Sequence, residues 1–320
     1  MISVLAGGVG AARFLRGLAQ VVPHGDITAI VNTGDDTRMH GLSISPDIDT
    51  VTYTLSDAID PERGWGLRNE TWTAMESLDR FAGVRPLSSR AGERWFNLGD
   101  NDLATHFYRT SRLAEGASLA DVTDEIRRAF ALDMRIVPMS NDPVTTMVHL
   151  AADDSVVSFQ EYFVKLRHDV VVKRIELRGI ESARFIDQSL LTDADIVVIA
   201  PSNPIVSIGP IRAIAGVDDM LSARRDSVVG ISPIVAGTAL KGPADRMLVE
   251  LGFEATVVGV ARMYAPVCGT LVIDEQDAHL KSEVESCGVR CVVTDTIMSK
   301  PGVGASLARA TIDAISTGGK

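Results

Sequence analysis

Apolar residues fall in short continuous runs at both ends of the chain and in alternating stretches in its middle. Ile2 to Ala6 and Ile27 to Val31 carry no charge, and an amphipathic segment, Arg13 to Val21, separates them. The second half repeats the theme. Asp195 to Ala200, Ser227 to Ile231, Ala255 to Val258, Gly269 to Asp274 and Val289 to Val293 read as strands, with helical patterns between them and a last helix over 302–316. Continuous apolar strands spaced by helices are buried on both faces, the mark of a parallel sheet covered on either side. The expected fold class is α/β: a doubly wound, Rossmann-like, mainly parallel sheet.

The middle breaks this rhythm. Residues 69–79 and 100–130 have helical periodicity, with Asp100 and Ser118 as caps. Within 144–179, stretches such as Val156 to Gln160 and Lys173 to Leu177 alternate with period two. A smaller α+β insert over about 65–185 is therefore expected on a core built from about 1–60 and 190–320. No flexible linker separates the parts, so a single domain should span 1–320.

At 320 residues and 46% hydrophobic content, the chain can bury a sizeable core. Its longest apolar run, around Ile196 to Ala200, is a strand and far too short to cross a membrane. With Ile2 already in the first strand pattern, no signal peptide is expected. Cys268, Cys287 and Cys291 lack zinc-site spacing and read as reduced thiols. A cytoplasmic protein is expected, and a homodimer is the usual assembly for such sheets.

The net charge of −11 excludes nucleic acid as a partner. The same field repels nucleotides. Any phosphate site must offset the charge locally, with backbone N–H groups, a few cationic side chains, or a divalent cation held by carboxylates.

The first candidate site is Gly7-Gly8-Val9-Gly10, between the first strand and the first helix. Missing Cβ atoms let a ligand approach the backbone, and the helix N-terminus supplies free N–H groups and positive dipole. The backbone of Gly10 is expected to lie against that ligand. A dinucleotide fingerprint would place an acid at the end of the second strand to hold a ribose. Asn32-Thr33-Gly34 stands there instead, and no Walker-type lysine follows the glycines. An NAD-dependent dehydrogenase fails on this point.

Asp35, Asp36, Asp47 and Asp49 follow within fifteen residues. Hard oxygen ligands beyond a parallel strand suit magnesium bridging a diphosphate. Asp47 and Asp49 also stand where a helix cap would, so either reading is open for each alone. Trp95 to His106 reads as strand, glycine turn and capped helix, with His106 one turn beyond Asp102; this histidine is either structural or catalytic. Two more small-residue loops follow strands, Pro201 to Ile211 and Ser232 to Gly242. Lys241 precedes a helix beginning near Pro243, where it either meets an anion or is solvated.

Taken together, these segments resemble the 2-phospho-L-lactate transferase family of coenzyme F-420 biosynthesis, whose actinobacterial members use a phosphoenolpyruvate-derived donor. The carrying residues are Gly7 to Gly10, Asn32 to Asp36, Ser45-Pro46-Asp47-Ile48-Asp49-Thr50, Gly64-Trp65-Gly66, Leu98-Gly99-Asp100, Ala104-Thr105-His106, Pro201-Ser202-Asn203-Pro204, Ser207 to Ile211 and Ser232-Pro233-Ile234. The resemblance implies a guanosine diphosphate donor bearing lactate, enolpyruvate or a similar acid, and the deazaflavin riboside Fo as acceptor. Transfer of the acid-bearing phosphate releases GMP. Magnesium is the implied cofactor, with Asp36 and Asp47 as its ligands. Asp49 is assigned to Fo and to orienting or deprotonating its hydroxyl, and Asn97, where the family often carries a basic residue, to Fo as well. Gly7, Gly8, Gly10, Ser202, Asn203, Ser207 and Lys241 form the nucleotide and phosphate set. The alternative is a nucleotide-sugar-binding regulatory protein of related fold, which shares the glycine loop and the acidic pair.

Overall fold

In the computed structural model, which describes residues 1–240 and 242–316, seven strands form one sheet whose pairings are all parallel. The strands, in chain order, are β1 (Ile2–Ala6), β2 (Ile27–Val31), β3 (Thr37–Met39), β4 (Leu42–Ile44), β5 (Arg135–Pro138), β6 (Thr145–Leu150), β7 (Val156–Ser158), β8 (Val172–Arg178), β9 (Ile196–Ile199), β10 (Val228–Ile231), β11 (Ile234–Val235), β12 (Thr238–Ala239), β13 (Thr270–Asp274) and β14 (Arg290–Thr294). The main sheet runs β14-β13-β10-β9-β1-β2-β5. Side chains of successive strand residues alternate between two cores. Leu5, Ile30, Val197 and Ile199 enter one, and Val4, Ala29, Val31 and Val198 the other. Helices cover both faces, which is why the strands tolerate so few polar residues.

The chain leaves β1 toward β2 on one side and returns through β9 on the other. The crevice above the carboxyl ends of β1 and β9 is therefore the topological switch point, where ligands bind in open α/β sheets.

The expected insert is not one continuous block. Arg135–Pro138, inside 65–185, forms the edge strand β5 of the main sheet, paired with β2. The remainder divides around it. One part is an excursion with α3 (Thr73–Ala82), reached through α2 (Pro46–Leu55) and followed by α4 (Asp102–Ala114) and α5 (Leu119–Ala129). The other is an antiparallel sheet, β7-β6-β8.

Three local expectations change. Val257–Tyr264 is a helix, not a strand, with Thr256 Oγ1 capping the Gly259 N–H at 3.1 Å. Its residues are buried almost all round, and a short, uniformly apolar run does not distinguish helix from strand. Trp95 to Leu98 forms no strand. Asp100 does not cap α4. It accepts from the Thr73 and Ala74 N–H groups of α3, while Glu70 accepts from Asn101 and Asp102 at the start of α4. Each segment thus caps the other's helix across about thirty residues. Ser118 does cap α5, through a reciprocal box with Asp121.

Candidate active site

Helix α1 (Val9–Leu18) begins two residues after β1. Its entry is crowded by the protein itself. A Cβ on Gly7 would lie 2.6 Å from the Ser207 Cβ, and one on Gly8 would lie 2.5 Å from Asp47 Oδ1. The Gly7 N–H donates to Ser202 Oγ at 3.1 Å. The glycine loop, the Pro201–Ser207 loop and the start of α2 therefore converge at the switch point. Gly10 differs from expectation. A Cβ there would lie 2.1 Å from the Pro201 carbonyl oxygen, so its open face is filled by a neighbouring loop and not left to a ligand.

Beyond β2 the chain turns at Asn32. This buried amide donates from Nδ2 to Asp47 Oδ2 at 2.9 Å and accepts on Oδ1 from the Gly34 N–H at 2.9 Å. It ties the end of β2 to the first turn of α2. The β3–β4 hairpin between them lets the chain double back, and Ser45 Oγ donates to Asp36 Oδ2 at 2.7 Å. Asp35, Asp36 and Asp47 are thereby gathered into one group.

Their charges are poorly compensated. Burial pushes the Asp35 carboxyl well above the usual carboxylate range, and the Asp47 and Asp36 charges add to the effect. Burial likewise pushes Asp36 up, against the hydrogen bond from Ser45. Asp47 rises to about 6, again through burial, with Asn32 opposing. Asp35 Oδ1 and Asp36 Oδ1 are buried without a hydrogen-bond partner. Orphaned carboxylate oxygens of this kind are what a hard divalent cation satisfies. The expected pair, Asp36 and Asp47, thus stands with Asp35 among under-compensated carboxylates, but among the described residues the three ligand groups whose atoms converge within 4.8 Å are Asp49, Asp102 and His106.

A second buried network adjoins this one. Arg109, on α4 and 1% exposed, forks both oxygens of Asp49, which is 5% exposed; the Nη1–Oδ2 contact is 3.1 Å. The same Nη1 lies 3.3 Å from His106 Nδ1. An arginine only donates, so Nδ1 accepts; Nε2 lies 3.4 Å from Asp102 Oδ2 but is buried without a hydrogen-bond partner. Tyr53 Oη donates to Asp102 Oδ1 at 2.5 Å. One ligand atom from each of Asp49, Asp102 and His106 lies within 4.8 Å of the others, close enough to hold a metal ion. Arg109 already supplies positive charge there. This geometry does not fit Asp49 as the base for an acceptor hydroxyl, because both of its oxygens are engaged and it is shielded from solvent. His106 joins this network through Nδ1, while its Nε2 is left without a hydrogen-bond partner.

The remaining assigned residues separate. Ser202 and Ser207 flank Gly7. Asn203 Oδ1 accepts from Ile205 and Val206, so its side chain shapes its own loop. Asn97 is exposed between Phe96 and Leu98, which pack with Met39, Leu42, Ile44 and Met75 beside the hairpin that feeds α2. Lys241 lies outside the described residues. Arg109 and Asn32 were not legible as site residues from type alone. The signal for Arg109 was spacing, because Asp102, His106 and Arg109 fall at i, i+4 and i+7, one stripe of a helix.

Among the described residues no helix is long and apolar enough to cross a membrane. In fold the chain is similar to two structures of a UPF0052-family protein from Bacillus halodurans, with TM-scores of 0.59 and 0.61 at 15% and 14% identity, covering 97% of this chain and 98% of theirs. In sequence it is 41% identical over 317 residues to a phosphoenolpyruvate transferase of Streptomyces griseus, covering 98% of this chain and 97% of that one. It is 38% identical over 331 residues to that of Mycobacterium tuberculosis, covering 98% of each. The model of the family described as 2-phospho-L-lactate transferase CofD matches residues 2–308. The chain belongs to the CofD family of 2-phospho-L-lactate transferases, as a transferase of the phosphoenolpyruvate or phospholactate type.

Proposed function

We propose that this protein transfers a three-carbon-acid phosphate from a guanosine diphosphate donor to the terminal hydroxyl of the deazaflavin riboside Fo, releasing GMP, in coenzyme F-420 biosynthesis. Relatives named phosphoenolpyruvate transferase favour enolpyruvyl as the acid. The observation that carries the reading is the trio of buried Asp35 and half-buried Asp36 and Asp47, with two unpartnered oxygens, beside a helix N-terminus at the switch point.

Asp35, Asp36 and Asp47 would hold magnesium. When bound, it supplies charge neutralisation for a diphosphate that an acidic chain otherwise repels. The N-terminus of α1 would receive donor phosphate on its free N–H groups. Ser202 and Ser207 keep the loop pressed against Gly7, and Asn32 holds Asp47 in place. The acceptor oxygen forms a bond to the phosphorus that carries the acid. The bond from that phosphorus to the GMP oxygen breaks, its electron pair leaves with GMP, and the hydroxyl proton passes to the departing GMP phosphate or to solvent water. Phosphoryl-type transfer needs positioning and charge compensation more than covalent help, and the site offers those. The Fo side is assigned to the surface at Asn97, beside the hairpin leading to α2. Asp49 serves it by orientation. A cytoplasmic homodimer completes the proposal.

The test is incubation with magnesium, Fo and either the lactyl or the enolpyruvyl guanosine diphosphate donor, with mass detection of product and GMP. Product with neither donor would sink the assignment to Fo. Stabilisation by UDP-sugars and not by Fo would favour the regulatory alternative.

A further inference from the structure

Arg109 stands outside the trio yet sits in a buried polar network with Asp49 and His106. A buried ion pair is weak evidence for stability, since apolar side chains of similar volume pack such helix contacts as well or better. What a guanidinium fork adds is direction. Both of its ends meet Asp49, and one of them reaches a second part of the chain. Asp49 lies on α2, two residues after Asp47. Arg109 Nη1 also reaches the Ser43 carbonyl at 3.5 Å, and Ser43 N–H donates to the neighbouring Thr110 Oγ1 at 2.8 Å. Helix α4 in turn carries the excursion. Glu70 caps its start, Asp100 caps α3, and the stretch holding Asn97 leads directly into it. Tyr53, from the same α2, grips Asp102.

We propose that Arg109 is a positioning residue: by clamping Asp49 and Ser43 it sets α4, and with it the acceptor-side excursion, in register with the carboxylates that begin α2. The proposal rests on the transferase reading for its consequence in turnover, but the clamp itself is a structural claim. It also explains why Asp49 is an acid although both of its oxygens face an internal cation.

The experiment compares Arg109→Lys, Asp49→Asn and the double variant with wild type. Lysine keeps the charge and loses the fork. Three readouts are used: Mn2+ binding to the protein alone, kcat and KM for Fo, and backbone hydrogen exchange. Mn2+ affinity should stay within about threefold in Arg109→Lys, because the trio is untouched and lysine leaves Asp49 in place. The kcat/KM for Fo should fall about tenfold to a hundredfold in either single variant, the scale of a small misplacement. The double variant should be no worse than the poorer single one, because both break the same clamp. Exchange should quicken over 46–55 and 102–114 and not in β1 or β9.

Full turnover in Arg109→Lys would overturn the proposal, since charge alone would then suffice. So would Mn2+ affinity that falls in step with turnover, which would place Arg109 in the cation site. A far larger loss in Asp49→Asn than in Arg109→Lys would show that Asp49 itself meets the reacting atoms. If Arg109→Lys does not fold, the near-isosteric Asp49→Asn carries the comparison, and unchanged Fo kinetics there would be fatal. A wild type that transfers nothing to Fo would end the transferase reading, while the exchange data would still decide the clamp.

Discussion

Asp47→Asn should stabilise the cation-free protein while removing its activity. Ser45 occupies the cap position of α2 and Asp47 lies in the first turn, so no cap is lost. What is lost is a favourable charge–dipole contact of about 0.3–1 kcal/mol. The opposing effect is larger. Asp47 rises from the ordinary 3.8 to about 6 on burial. At 1.36 kcal/mol per pH unit, that gap makes the ionised carboxylate cost ~3 kcal/mol once pH exceeds both values. Asparagine keeps an oxygen to accept from Asn32 Nδ2. The net gain should be ~2 kcal/mol near neutral pH, a rise of several degrees in Tm. The sign follows from proton uptake. Between 3.8 and about 6 the folded state binds more protons than the unfolded one, so wild-type stability climbs as pH falls through that window and the variant's advantage shrinks to roughly half by pH 5. Chemical denaturation in chelator at the two pH values checks this. With magnesium at a hundred times its Kd, wild type should gain about 2.7 kcal/mol and the variant far less. Turnover should drop roughly a hundredfold. A variant less stable than wild type in chelator at neutral pH, or one with an undiminished response to magnesium, would refute the reasoning.

Chelation should abolish turnover, and rate retained in full without a divalent cation would contradict the role given to the trio. Because Asp35, Asp36 and Asp47 are all pushed upward, protons compete with the cation. Mn2+ affinity should therefore weaken as pH falls below about 6, and a flat profile would exclude these ligands. Gly10→Ala should cost roughly 1–3 kcal/mol in chelator, because its Cβ meets the Pro201 carbonyl at 2.1 Å; unchanged melting would be the disproof. Gly17→Ala should cost a similar ~1–3 kcal/mol, since its Cβ would meet the Gly304 backbone at 2.4 Å where α1 crosses the last helix. Turnover per folded molecule should survive that change.

Much of the fold was legible because burial on both faces leaves a strong mark. Ile2–Ala6 and Ile196–Ile199 have almost no polar alternatives, and their neighbours in the sheet follow. Arg135–Pro138 was harder. Four residues at a sheet edge, one exposed arginine and a terminal proline carry little periodicity, so β5 disappeared into the expected insert. Asp100 misled for a related reason. Its sequence position fits a cap of the helix that follows, but the acceptor is free to choose among all nearby N–H groups, and α3 was closer in space.

The acids show where residue type stops being informative. Asp47 and Asp49 are two positions apart on one helix, and nothing local separates them. What separates them is the partner each side chain meets. Asp47 meets a neutral amide and other carboxylates, so it keeps an unmet demand for positive charge. Asp49 meets a guanidinium supplied sixty residues later, which opposes the burial that still holds its carboxyl above the usual range. The same residue type therefore gives an opening for a cation in one case and a structural clamp in the other. That difference is set by how α4 folds back on α2, a long-range contact that residue type at positions 47 and 49 does not carry.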